Sequence, residues 1–322
     1  MLVVAYFHAY APQHNAGAEM MAHTMLRELV RRGHTVEAWI PEGNTGDYEY
    51  EGVKVIRPRH KSDPLTRCRD ADLIVSHLHY TARAKLIAAE TSTPLAVIGH
   101  NTFPESQRLF SDGVDLIVHN SQWMADTMGL PGIVVRPPVF AAEYAGTAGE
   151  HVTAVNLAEI KGPDVFYGLA ARFPTTPFLA VCGAYSPQDL RYDVPNVTII
   201  GTVAPQDMRD KVYARTRVLL MPSVYESYGR VGVEALASGI PVVASPNPGV
   251  REALGAAGHY PADRTDLDQW AALLAPLLER KGWRAASRRA RARSAELDPA
   301  AELDAWCTAA VATAERGRGR RG

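Results

Sequence analysis

Cysteine is scarce. Cys68, Cys182 and Cys307 are far apart, odd in number and without CxxC spacing, which excludes a disulfide framework or a zinc site as the basis of the fold and points to a reducing, cytoplasmic setting. Long apolar runs are also missing: none approaches the roughly 18 residues a membrane span needs, so no stable membrane insertion is expected. The opening MLVVAYFHAYAPQ lacks a basic leader and a long apolar core and reads as a first buried strand rather than a signal peptide. Neither charge sign dominates, with 34 Lys and Arg against 35 Asp and Glu and a net charge of -1, so global charge makes no case for a nucleic-acid or acidic partner.

What is present is a chain of 322 residues, 47% hydrophobic, enough for two domains with a core each. Charge is unevenly spread. Arg280, Lys281, Arg284, Arg288, Arg289, Arg291 and Arg293 crowd one late segment, and Arg316, Arg318, Arg320 and Arg321 close the chain. A solvated helix face with a frayed tail accounts for them, and so does a contact with an anionic acceptor or a membrane surface.

Short apolar runs alternate with helical spacing throughout. LVVAYF, HTVEAWI, VKVIRP, ADLIVSH, PLAVIGH, VDLIVHN and IVVRPPV read as strands of a first parallel sheet, and EMMAHTMLRELVRRG, TARAKLIAAE and SQWMADTM as helices on it. The Ala- and Gly-rich stretch 140–150 reads as a hinge. The rhythm restarts with HVTAVNLA and continues through PFLAVCG, NVTIIG, RVLLMPS and PVVAS, with no residue-level repeat of the first half. The expected fold is α/β: two doubly wound Rossmann-like domains facing across a cleft, residues 1–142 and 143–298. Residues 299–322 form a terminal helix and basic tail, which either caps the second domain or crosses back to the first.

The most informative stretch is YESYGRVGVEALASGIPVVAS, Tyr225 to Ser245. It follows a strand, opens a helix after Ser227, Tyr228 and Gly229, and returns to a strand. The helix start therefore belongs at a carboxyl edge, where unpaired backbone N–H groups suit a phosphate. Glu226 and Glu234 flank that start. Eight positions turn through about 80° beyond two circles of an ideal helix, so they reach different parts of one extended ligand only because Glu226 precedes the helix.

This stretch, followed by NPGVREAL, resembles the nucleotide-sugar signature of the retaining glycosyltransferases of family 4, in which seven residues separate two glutamates. RRGHTVEAW, ADLIVSHLH, VDLIVHNSQWMAD, KGPDVF and RVLLMPS fall in the family's order along most of the chain, and the wording resembles compact transferases of actinobacteria and their phages. The resemblance implies a glycosyltransferase-B fold and transfer of a hexosyl group from a nucleoside diphosphate sugar, UDP before GDP, to an acceptor hydroxyl. It implies retention of configuration, with the leaving phosphate acting as base, and neither metal nor cofactor. The acceptor stays open between a small metabolite, a protein and modified DNA.

Residue by residue, the resemblance assigns Lys161 to the leaving diphosphate together with the backbone N–H groups of Tyr228, Gly229 and Arg230. It assigns Glu226 to the donor sugar's hydroxyls and Glu234 to those of the ribose, where two acceptor oxygens suit a vicinal diol. Gly17 would let the backbone approach the diphosphate, and His100 would act at the reacting end. The expected catalytic set is His100, Lys161 and Glu226. One departure stands out: the family's arginine five residues before the lysine is Asn156 here, a donor-binding candidate that can still donate a hydrogen bond to phosphate but lacks the charge, and Arg230 replaces an aliphatic residue, which suggests that Arg230 restores it. His77 and His79 share a strand face without a third metal ligand and read as structural or acceptor-side. Two other classes remain, a nucleotide-sugar epimerase on the same frame and a non-catalytic nucleotide-sugar binding protein; donor consumption with and without acceptors separates them.

Overall fold

The structure is a computed structural model that describes residues 1–42, 46–60 and 63–321, the last two by backbone alone; Gly322, the end of the basic tail, lies outside the described residues. The chain divides into two compact units. One holds Met1–His14, Ala18–Pro138 and Pro299–Gly322, the other Asn15–Gly17 and Val139–Asp298.

The first unit is built on strands β1 (Leu2–Tyr6), β2 (Thr35–Trp39), β3 (Tyr48–Tyr50), β4 (Val53–Ile56), β5 (Leu73–His77), β6 (Leu95–Gly99), β7 (Leu116–His119) and β8 (Ile133–Val134). They lie in the order β3-β4-β2-β1-β5-β6-β7-β8. All neighbours are parallel except β3 and β4, an antiparallel edge that the sequence reading did not contain because Tyr48–Tyr50 is short and polar. Every residue of β5, β6 and β7 is buried, as strands covered on both faces must be, and their near-continuous apolar runs follow from this.

The second unit carries β9 (His151–Val155), β10 (Phe178–Val181), β11 (Val197–Ile200), β12 (Thr216–Met221), β13 (Val242–Ala244) and β14 (Gly258–His259), in the order β11-β10-β9-β12-β13-β14 and parallel throughout. In both sheets the winding reverses next to the first strand, between β1 and β5 and between β9 and β12. Open α/β sheets bind ligands at such reversals, beyond the carboxyl ends of the strands.

The stretch 140–150 read as a hinge is anchored in the second unit. Its helix Ala141–Tyr144 buries Tyr144, the Ser238 hydroxyl donates to the Tyr144 carbonyl at 2.6 Å, and a Cβ on Gly149 would stand 2.3 Å from the Arg215 backbone. The helix Ala300–Arg321 belongs to the first unit. Trp306 on it is fully buried and donates through Nε1 to the Met25 carbonyl at 3.0 Å, Glu302 accepts from the Arg136 backbone N–H at 2.5 Å, and Arg318 bonds Asp72 at 2.8 Å.

Part of the late arginine cluster has an internal use. Arg291 donates to the Ser238 carbonyl at 3.0 Å and Arg293 to those of Ala253 and Glu252 at 3.0 and 2.7 Å. Arg217 does the same for Leu277 and Leu278 at 3.2 and 2.8 Å. These carbonyls close the helices Arg230–Ala237, Pro248–Leu254 and Leu267–Leu278, ends that carry partial negative charge and unsatisfied acceptors.

Candidate donor site of the second unit

Two loops flank the reversal between β9 and β12, and each contributes one charged group. After β9 the chain makes a tight turn, Glu159–Lys161, and passes through Gly162 at φ 72° into the helix Pro163–Arg172. Gly162 is required twice over, by its positive φ and because a Cβ would stand 2.3 Å from the Pro222 carbonyl oxygen; Pro163 then occupies the first helical turn, where a missing N–H costs nothing. After β12, Val224 N–H donates to the Ile160 carbonyl at 2.9 Å and ties the loops together. In that frame Lys161 Nζ donates to Glu226 Oε1 at 2.5 Å, with both side chains 17% exposed. The Ser223 hydroxyl donates to the same oxygen at 2.9 Å. Burial alone would depress the lysine, but the Glu226 carboxylate and the Tyr185 hydroxyl hold its pKa above the ordinary value.

The segment Ser227, Tyr228, Gly229 leads into the helix Arg230–Ala237. Gly229 has φ 90°, and a Cβ there would meet Met221 Cε at 2.8 Å. Tyr228 is buried. The NPGV sequence supports this loop from behind: Asn247 Nδ2 donates to the Ser223 carbonyl at 3.0 Å, and Gly249 lies so near that a Cβ would stand 2.0 Å from the Ser227 carbonyl oxygen.

Asn156 sits at φ 70°. Its Oδ1 accepts from the Ala158 N–H at 2.9 Å and from Gln188 Nε2 at 3.0 Å, while Gln188 Oε1 accepts from the N–H groups of Leu157 and Gly183 at 2.8 and 2.9 Å. The residue in the family's arginine position thus laces the loops after β9 and β10.

The Arg230 side chain, which the sequence suggested for that charge, is engaged with buried groups of its own unit. Its guanidinium is 7% exposed by residue; Nε donates to Glu234 Oε1 at 2.7 Å and an Nη to the Tyr144 hydroxyl at 3.0 Å. The second Glu234 oxygen accepts from the Tyr213 hydroxyl at 2.5 Å. Burial would depress the guanidinium, yet Tyr144 and Glu234 keep its pKa above the ordinary value, and burial followed by Glu234 drives Tyr213 well above its own. Glu234, read as a ribose ligand, already accepts a hydrogen bond on each oxygen.

Gly17, which groups with the second unit, opens the helix Gly17–Arg31, and a Cβ there would meet nothing within 4 Å; the histidines lie in the first unit. His100 follows β6 with Nε2 3.1 Å from Nδ1 of His77 at the end of β5; the Phe7 ring lies 4.2 Å from that of His77. Burial pushes His77 down to about 4 and His100 to about 3, so both are neutral at pH 7. Near them Glu19 lies 3.5 Å from His14, and although burial would raise it, the histidines hold its carboxyl below the usual range. His79 lies instead beside His8, ring centroids 5.1 Å apart, where His8 and the Tyr80 hydroxyl meet Glu42 at 3.2 and 2.8 Å. Among the described residues no group of three or more His, Cys, Asp or Glu could hold a metal, and no helix is long and apolar enough to cross a membrane.

The structure brings Lys161 and Glu226 together beside Ser227 to Gly229, and joins Arg230 to Glu234. Sequence reading missed Ser223, Tyr185, Gln188, Tyr213 and Tyr144. Ser223 alone had a local signal, a hydroxyl three positions before the glutamate; the others arrive from other elements.

Residues 152–280 match the family described as glycosyl transferases group 1. Among curated proteins it is 30% identical over 198 residues to the D-inositol 3-phosphate glycosyltransferase of Mycobacteroides abscessus, covering 57% of this chain and 41% of that protein. It is 28% identical over 207 residues to the protein of that name from Mycobacterium sp. strain JLS, covering 61% of this chain and 44% of the relative. The chain thus matches less than half the length of either relative. Among solved structures, Anabaena HepE in complex with UDP-glucose superposes with a TM-score of 0.77 at 15% identity over 97% of this chain and 99% of that one. Sucrose-phosphate synthase from Thermosynechococcus elongatus gives 0.73 at 16% identity over 100% and 98%. These likenesses establish a fold of glycosyltransferase-B type.

Proposed function

We propose that the protein is a hexosyltransferase that moves a sugar from a nucleoside diphosphate donor to an acceptor hydroxyl, with retention of configuration and without a metal. The observation that carries the proposal is the Lys161–Glu226 pair, 2.5 Å apart, on two cross-linked loops at the strand-order reversal and beside a glycine-opened helix. Breaking a glycosidic C–O bond to a diphosphate requires stabilisation of the charge that develops on the leaving oxygen. Lys161 supplies a cation for it, and the N–H groups of Tyr228, Gly229 and Arg230 supply dipoles. On donor binding the ammonium divides between phosphate and Glu226, whose carboxylate turns to accept from the sugar's hydroxyls. Gly17 leaves room for close backbone approach, and the neutral His100 can donate or accept one hydrogen bond without adding charge.

UDP is the favoured nucleotide because HepE was solved with UDP-glucose. A phosphorylated cyclitol is the first acceptor to try, from the name of the mycobacterial relatives. The test is UDP release from UDP-hexoses, with and without such an acceptor, and NMR of the product's anomeric centre. Acceptor-dependent release with retention is expected. Conversion of the donor without acceptor would make the protein an epimerase, and an inverted product would refute the leaving phosphate as base.

A further inference from the structure

The quartet Arg230, Glu234, Tyr213 and Tyr144 is unusual in being charged and buried. Arg230 and Glu234 are 7% and 5% exposed and lie one helical turn apart, and a buried ion pair of this kind is often no more stabilising than apolar residues of the same volume. It is also fully engaged from one side: Arg230 Nε on one carboxylate oxygen at 2.7 Å, the Tyr213 hydroxyl on the other at 2.5 Å, with the guanidinium braced by Tyr144 at 3.0 Å. A carboxylate offers about four lone-pair sites on its two oxygens. Arg230 and Tyr213 occupy one on each, which leaves one on each oxygen and stops the terminal torsion from turning. Two adjacent acceptor sites at fixed spacing match a vicinal diol, and fixing them beforehand removes the ordering cost from binding.

We infer that Arg230 and Tyr213 are positioning residues that lock the Glu234 carboxylate for the 2′,3′-diol of the donor's ribose. The Arg230 side chain, as distinct from its backbone N–H, thereby serves nucleoside recognition and not the diphosphate. This rests on the donor reading above and deepens it.

The test compares binding of UDP and GDP with that of their 2′,3′-dideoxy analogues, in the wild type and in Tyr213→Phe and Arg230→Lys, each first checked for a cooperative melt. Hydrogen bonds to a charged acceptor predict that the wild type prefers the ribose form by about ten- to a hundredfold. In both variants that ratio should fall to within about threefold of unity, with the dideoxy affinity unchanged and the loss in turnover confined to donor KM. Because Tyr213→Phe leaves the ion pair intact, it keeps the comparison available if Arg230→Lys does not fold. Variants that weaken both ligands equally, or keep the wild-type ratio, overturn the inference and leave the donor reading standing. A wild type that binds neither diphosphate overturns both.

Discussion

Lys161 and Glu226 neutralise one another at 17% exposure each, so removing either side chain has two effects. Lys161→Ala takes away the cation offered to the leaving group and frees Glu226 in a mostly enclosed loop. Loss of one preorganised donor to a developing oxyanion typically costs about 3 kcal/mol, so kcat is expected to fall by about two orders of magnitude; steady-state kinetics with a saturating donor checks this. The second residue-scale prediction concerns pH. His77 is fully buried, and its pKa is held down to about 4 by burial against about 6.5 in an unfolded chain. Below pH 6.5 the unfolded state therefore binds the proton more readily, and stability is lost as pH falls from there towards 4, at up to about 1.4 kcal/mol per pH unit for this one group. Melting curves from pH 7 to pH 4.5 should show that decline, and His77→Gln should make it shallower.

At the scale of elements, glycine at 162 decides how the turn after β9 meets the loop after β12. Gly162→Ala would force a Cβ against the Pro222 carbonyl at φ 72°, and strain of this kind costs about 1–3 kcal/mol. The variant should melt at lower temperature and bind UDP more weakly, because the displaced turn carries Lys161; thermal melts and calorimetric titration measure both effects. The long strands were legible in the sequence for the reason that makes them stable: β5, β6, β7 and β10 are buried on both faces and spell near-continuous apolar runs. Lys161 and Glu226 could be singled out because each lies in a short motif that carries the family resemblance, KGPDVF and YESYG, although the two stand 65 residues apart. The buried setting of Arg230 was not legible because Tyr144, which its guanidinium meets, lies before β9, and Tyr213, which meets Glu234, lies before β12, and no periodicity encodes such meetings. The arginine-rich helix Arg280–Glu296 was ambiguous for a related reason. Arg291 and Arg293 find carbonyls at the ends of neighbouring helices, and a charge count cannot distinguish these from solvated charges.

For the molecule as a whole, the helix Ala300–Arg321 is the element furthest from its unit in sequence. Trp306 is fully buried on it, and cutting such a side chain to alanine costs about 3–5 kcal/mol. Trp306→Ala should therefore destabilise the first unit selectively, and hydrogen exchange should rise in the helix Gly17–Arg31, whose Met25 carbonyl receives the indole N–H, while the strands of the second unit keep their protection. The same helix sets the order in which a nascent chain can be completed. Residues 139–298 can close into their own sheet as soon as they leave the ribosome, because all but a three-residue piece of that unit is contiguous. The first unit, made earlier, must wait with its Trp306 site uncovered until the last helix emerges. The half that is synthesised first is thus finished last, and during that interval it exposes apolar surface that the last helix will cover.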